Sequence, residues 1–150
     1  MISVKRPGII IIREPVTKTS YFKDQNMKHT EGFLNIVNDA KSRIREVTVA
    51  ETQQRMRDNP QAKLIDVRED NEWNAAHATG AIHLGKGIIE RDIETAVPDK
   101  DTELILYCGG GYRSALAADA LQRMGYTNVF SLAGGWKAWK EQSTDYTESA

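Results

Sequence analysis

At 150 residues, with 40 % hydrophobic residues, 20 Lys+Arg against 21 Asp+Glu and a formal net charge of −1, the chain fits one soluble globular domain with a core. It is too apolar for a disordered chain and too balanced in charge for a dedicated nucleic-acid binder, which is markedly basic. The single cysteine, Cys108, excludes an intrachain disulfide and a cysteine-cluster metal site, leaving an inert core residue or a reactive thiol.

Residues 1–30 carry six basic and two acidic residues. Four isoleucines, Ile9 to Ile12, follow Lys5 and Arg6, but Arg13 and Glu14 end the run. A signal peptide needs roughly 7–15 apolar residues and a membrane span about 20. The segment therefore reads as a partly ordered basic arm with one short strand, and a cytoplasmic protein with no membrane partner is the expectation. Phe33, Ile36, Val37, Ala40 and Ile44 then recur at helical spacing and predict an amphipathic helix. Thr48 and Glu51 fit a capping box for a second helix through Arg57, stopped by Asn59-Pro60.

Leu64 to Val67 is a short apolar strand containing an acid, and Glu69 to Ala78 reads as helix. Ala81 to Leu84 predicts a strand, Gly85-Lys86-Gly87 a turn, and Ile88 to Thr95 a helix. Glu103 to Tyr107 is an apolar strand running into Cys108-Gly109-Gly110-Gly111-Tyr112-Arg113. A helix from Ser114 to Met124 follows, with Gly125 at the position that favours a left-handed residue. Val129 to Leu132 is the last strand, and Gly134-Gly135-Trp136 opens a final helix. The domain thus covers residues 31–141, opened by a helical extension, and residues 142–150 read as a flexible tail. Continuous apolar strands alternating with helices favour a buried, mainly parallel sheet covered on both faces.

Chemistry is expected where that sheet ends. In open α/β sheets ligands gather beyond the carboxyl ends of strands, at helix N-termini. Three successive glycines after Cys108 allow backbone angles closed to other residues, so that loop amides can turn inward as an anion-binding nest. Both the nest and the helix N-terminus favour a thiolate over a thiol. Arg113 adds a planar fork for an oxyanion. A Walker-type phosphate loop is excluded, because its Gly-Lys-Ser/Thr ending is missing.

At these residues the chain resembles the single-domain rhodanese-like family. Cys108 to Ser114 matches a Cys-x-x-Gly-x-Arg-Ser loop, and Leu64 to Arg68 with Glu72-Trp73 resembles the first sheet motif. His77 to Ile82 is similar to a His-Ile-Pro-Gly-Ala segment, with Ala78 and Thr79 replacing Ile and Pro, and Leu132 to Trp136 resembles the closing Gly-Gly-Trp motif.

The resemblance implies an α/β fold with a five-stranded, mainly parallel sheet and helices on both faces. It implies a sulfurtransferase: a Cys108 thiolate takes the outer sulfur of thiosulfate, or of a persulfide donor. It passes that sulfur to cyanide, a small thiol or a protein thiol, with no metal and no organic cofactor. Gly109, Gly110, Gly111, Tyr112 and Arg113 are expected to bind substrate, and Asp66, Arg68, Ser114 and His83 to support the site. Asp66 either orients the site or bonds nearby amides; Arg68 either touches substrate or makes a structural ion pair. The Cys-x4-Arg spacing favours sulfur over the Cys-x5-Arg loop of the family's phosphatase relatives. Two alternatives stand beside this reading, a sulfur carrier in a protein relay and a regulatory binding module.

Overall fold

The computed structural model describes residues 29–149. The expected arm lies outside this range except for residues 29 and 30, as does its strand at 9–12. The chain divides into two units at Leu34/Asn35. The described part of the first holds the start of helix α1 (Glu31–Lys41), where the His29 ring tilts against Phe33 at 5.3 Å. The second carries everything else.

Strand β1 (Arg45–Val47) leads into α2 (Val49–Asp58). The capping box forms as expected: Glu51 N–H donates to Thr48 Oγ1 at 3.1 Å and Thr48 N–H to Glu51 Oε1 at 2.9 Å. Then follow β2 (Lys63–Asp66), α3 (Asp70–Ala75), β3 (Ala76–Ala78), β4 (Ile82–His83) and α4 (Ile89–Ala96). Next come β5 (Leu104–Tyr107), α5 (Arg113–Arg123), β6 (Val129–Leu132), α6 (Gly135–Gln142) and β7 (Tyr146–Glu148). Helix α5 closes in a Schellman motif. Gly125 takes φ +101°, its N–H bonds Gln122 O, and Tyr126 N–H bonds Leu121 O.

The main sheet has five strands in the order β1-β6-β5-β2-β4, every pair parallel. Side chains alternate across it. Ile65, Leu104, Leu106, Cys108 and Val129 face Ile89 and Ile93 of α4 and Ala117, Ala118 and Leu121 of α5. Leu64, Ile105, Tyr107, Phe130 and Leu132 face Val49 of α2 and Trp139 of α6. Burial on both faces explains why the central strands are continuous apolar runs. Among the described residues no helix is long and apolar enough to cross a membrane.

Three elements differ from expectation. Strand β1 is a charged edge strand that no apolar run announces. The helix expected through Ala78 stops at Ala75, because Ala76–Ala78 pair antiparallel with β7. Of the expected tail 142–150, the described residues 142–149 are accordingly not free: Tyr146–Glu148 complete that ribbon, and Ser149 N–H donates to Ala75 O.

Candidate active site

The loop from Cys108 to Tyr112 leaves the carboxyl end of the central strand β5 and enters α5. Its centre is the Cys108 sulfur. Gly111 N–H and Ser114 N–H donate to Sγ at 3.2 and 3.3 Å, and Ser114 Oγ lies 3.5 Å away. Backbone donors converge on the sulfur at the positive end of a helix, an arrangement suited to a thiolate. Of the expected nest, Gly111 supplies one of the two amides and Ser114 the other. The Gly109 and Gly110 amides have no acceptor among the described residues. Cys108 is only 1 % exposed, but Gly110 is exposed and a Cβ there would meet open space. The sulfur thus lies on the floor of a loop whose outer wall carries no side chain at Gly109 or Gly110.

Helix α6 holds this loop from behind. Trp136 N–H donates to Cys108 O at 2.7 Å and Lys137 N–H to Gly109 O at 3.2 Å. That close approach requires Gly135, which has φ +52° and whose Cβ would fall 2.8 Å from the Gly109 carbonyl carbon. A Cβ at Gly111, which takes φ +98°, would fall 3.3 Å from both Leu132 O and Gly134 N, closer than an ordinary contact. The Gly-Gly-Trp segment is therefore the support of the cysteine loop.

Arg113 does not point an unpaired fork into the loop. Its Nη1 and Nη2 donate to Glu72 Oε1 and Oε2 at 2.8 and 3.1 Å, a bidentate pair in which both side chains are about 30 % exposed. The Arg113 hydrogen bonds hold the Glu72 carboxyl below the usual carboxylate range, and Glu72 in turn raises Arg113. Glu72 Oε1 also accepts from Glu69 N–H at 3.0 Å, so one carboxylate caps α3 and anchors the loop's arginine. Tyr112 lies beneath Lys41 of α1, whose Nζ is 4.9 Å from the ring centroid.

Asp66 and Arg68 pair with each other. Arg68 Nε and Nη2 reach Asp66 at 2.8–3.1 Å, Arg68 N–H donates to Asp66 Oδ1 at 2.9 Å, and the residues are 0 % and 3 % exposed. Arg68 Nη2 also donates to Ala76 O at 2.7 Å, and its guanidinium sits 4.7 Å from the Trp136 ring centroid. Burial, together with the Asp66 charge, keeps the Tyr107 phenol well above its ordinary range, and its oxygen accepts from Ala78 N–H at 3.0 Å. Asp66 thus bonds a nearby backbone amide, that of Arg68, and the Arg68 side chain makes a buried ion pair with it. His83 Nε2–H donates to Arg68 O at 2.8 Å, and its ring stacks on Trp73, as does that of His77. His83 thus holds the turn after β2.

Two residues escaped the sequence reading as members of the site. Glu72 stands in the sequence only as part of a motif, with nothing there to mark it as the partner of Arg113. Ser131, on β6, reads from sequence as ordinary strand, yet its Oγ lies 2.8 Å from Ser114 Oγ and it is fully buried. Its one signal was a hydroxyl inside an apolar run.

Comparison with known proteins agrees with this geometry. The family model for the rhodanese-like domain matches residues 48–142. "Thiosulfate sulfurtransferase PspE" of Escherichia coli (strain K12) is 41 % identical over 73 residues, 49 % of this chain and 69 % of that protein. "Probable adenylyltransferase/sulfurtransferase MoeZ" of Mycobacterium tuberculosis is 38 % identical over 79 residues, 53 % of this chain but only 20 % of that protein's length. A solved structure, "rhodanese with anions from E. coli", superposes with a TM-score of 0.52 at 34 % identity, covering 59 % of this chain and 99 % of that one. With a cysteine loop of the expected form on a five-stranded parallel sheet and a family match across most of that sheet, the chain belongs to the rhodanese-like family.

Proposed function

We propose that the protein is a sulfurtransferase that moves a sulfane sulfur from thiosulfate to cyanide or a thiol through a persulfide on Cys108. The observation that carries this reading is the pair of amides, Gly111 and Ser114, aimed at Sγ where β5 gives way to α5. A Cys108 thiolate attacks the outer sulfur of thiosulfate, the S–S bond of thiosulfate breaks, and sulfite leaves with the bonding pair. Cys108 then carries a persulfide anion. Cyanide, or an acceptor thiolate, attacks the terminal sulfur, forming thiocyanate or an acceptor persulfide and returning the thiolate. Charge balances in each half-reaction, and ping-pong kinetics follow. Fixed amides suit this cycle because one negative charge is present in the resting thiolate and in the persulfide alike; preorganised donors of this kind are worth a few kcal/mol to an anionic transition state.

A second reading, a sulfur carrier serving a protein donor and acceptor, is supported by the Arg113–Glu72 pair. That pair leaves the loop's guanidinium neutralised against a doubly charged small anion. Intact mass spectrometry after thiosulfate treatment tests the main reading: one added sulfur atom, removed by cyanide, is expected. A chain that stays unmodified by thiosulfate but takes sulfur from a protein persulfide sinks the thiosulfate reading in favour of the carrier.

A further inference from the structure

Ser131 stands outside the loop and outside every motif read from the sequence. Its register partner on β5 is Leu106, and Cys108 lies two residues further along that strand's path, on the same face of the sheet. The Ser131 hydroxyl meets Ser114 Oγ at 2.8 Å, and Ser114 Oγ meets Cys108 Sγ at 3.5 Å. Both serines are 0 % exposed. Each hydroxyl has one proton to place, and a buried donor without an acceptor is penalised.

The direction of this chain follows from counting protons. Among the described residues Ser114 Oγ is the acceptor available to the Ser131 hydroxyl. Were Ser114 to donate to Ser131, the Ser131 proton would be buried with nowhere to go. So Ser131 donates, and the Ser114 proton is left for the cysteine sulfur. An ionised sulfur accepts the Ser114 hydroxyl and both amides, whereas a thiol is a weaker acceptor with its own proton still to place in the same buried surroundings.

We infer that Ser131 is a positioning residue for the sulfur chemistry: its hydroxyl turns the Ser114 O–H toward Cys108 and so adds a third donor to the ionised sulfur. The inference rests on Cys108 as the reacting thiol, but its test needs no turnover. Cys108 is the chain's single cysteine, so its alkylation by iodoacetamide can be followed by intact mass without ambiguity.

The expected result is that Ser131→Ala slows alkylation by about threefold to tenfold at neutral pH. At alkaline pH, where the thiol is ionised in either protein, the rates converge. Added to Ser114→Ala, the Ser131→Ala change has no further effect, since it acts through Ser114. Ser131→Thr against Ser131→Val isolates the hydroxyl at constant shape, and the threonine variant should alkylate faster at neutral pH. The inference is overturned if Ser131→Ala matches the parent at neutral pH, if its deficit persists unchanged at every pH, or if the two alanine changes add. Should alkylation behave as expected while thiosulfate transfers no sulfur, the role of Ser131 stands and the proposed reaction falls.

Discussion

Replacing Gly135 with alanine tests whether the first turn of α6 holds the cysteine loop in place. The new Cβ would enter a left-handed residue at φ +52°, which costs about 1–2 kcal/mol for a side-chain-bearing residue. It would also lie 2.8 Å from the Gly109 carbonyl carbon and 2.9 Å from its oxygen, and closer still to Cys108 O, so backbone has to move. The hydrogen bonds Trp136 N–H to Cys108 O and Lys137 N–H to Gly109 O are then stretched or lost, at about 1 kcal/mol each. Together the change costs about 3–4 kcal/mol, which for a domain of this size lowers the melting temperature by about 10 °C. Displacing the loop by even ~1 Å should reduce sulfur transfer by about 10²-fold. The comparison is Gly110→Ala, whose Cβ meets open space and whose stability should stay within about 0.5 kcal/mol of the parent. Calorimetry and thiocyanate formation read both variants. A Gly135→Ala protein that melts and turns over like the parent would refute the idea that α6 supports the loop.

Other consequences are equally direct. Cys108→Ser should form neither a persulfide by mass nor thiocyanate from thiosulfate and cyanide, and substantial residual turnover would remove Cys108 from its role. Arg68→Met leaves Asp66 buried without its partner and should destabilise the fold by about 3–5 kcal/mol in urea denaturation; a loss under about 1 kcal/mol would show that the pair contributes little. Glu72→Gln frees Arg113 and should lower KM for thiosulfate, whereas Arg113→Ala should raise it; unchanged constants in both would make the pair purely structural. The same pair sets a pH dependence. Because the folded state holds the Glu72 carboxyl below its ordinary value, the stability it contributes is present above the unfolded carboxylate range and lost as pH falls through the folded value. The stability gap between parent and Glu72→Gln should therefore shrink on acidification, and a gap that widens would contradict the assignment.

Local signals were legible where they were strong and self-contained. The capping box of Thr48 and Glu51, the Gly125 terminus of α5 and the apolar runs of β5 and β6 each announce their element within a few residues. Strand β1 was hidden because Arg45 and Glu46 face solvent and only Val47 is buried, the charged form that edge strands take. Strands β3 and β7 were hidden because Ala76-His77-Ala78 extends a helical pattern, and only pairing with a segment seventy positions away overrides it. The site divides in the same way. Cys108, Gly111 and Ser114 sit within seven consecutive residues of the loop and the first turn of α5, so spacing alone brings them together. Glu72 and Ser131 reach the site through the strand order β6-β5-β2, which no local pattern encodes.

The amides that grip the Cys108 and Gly109 carbonyls come from the last helix of the main layer, not from the strands beside them. Reactivity for that reason depends on that helix being docked. A chain whose β5 and α5 have already paired, but whose C-terminal helix has not yet docked, owns the thiol without the frame that tunes it, and behaves as any loose cysteine open to oxidants. Partial unfolding from the C-terminal side should accordingly silence the chemistry while the circular dichroism of the sheet is still nearly intact.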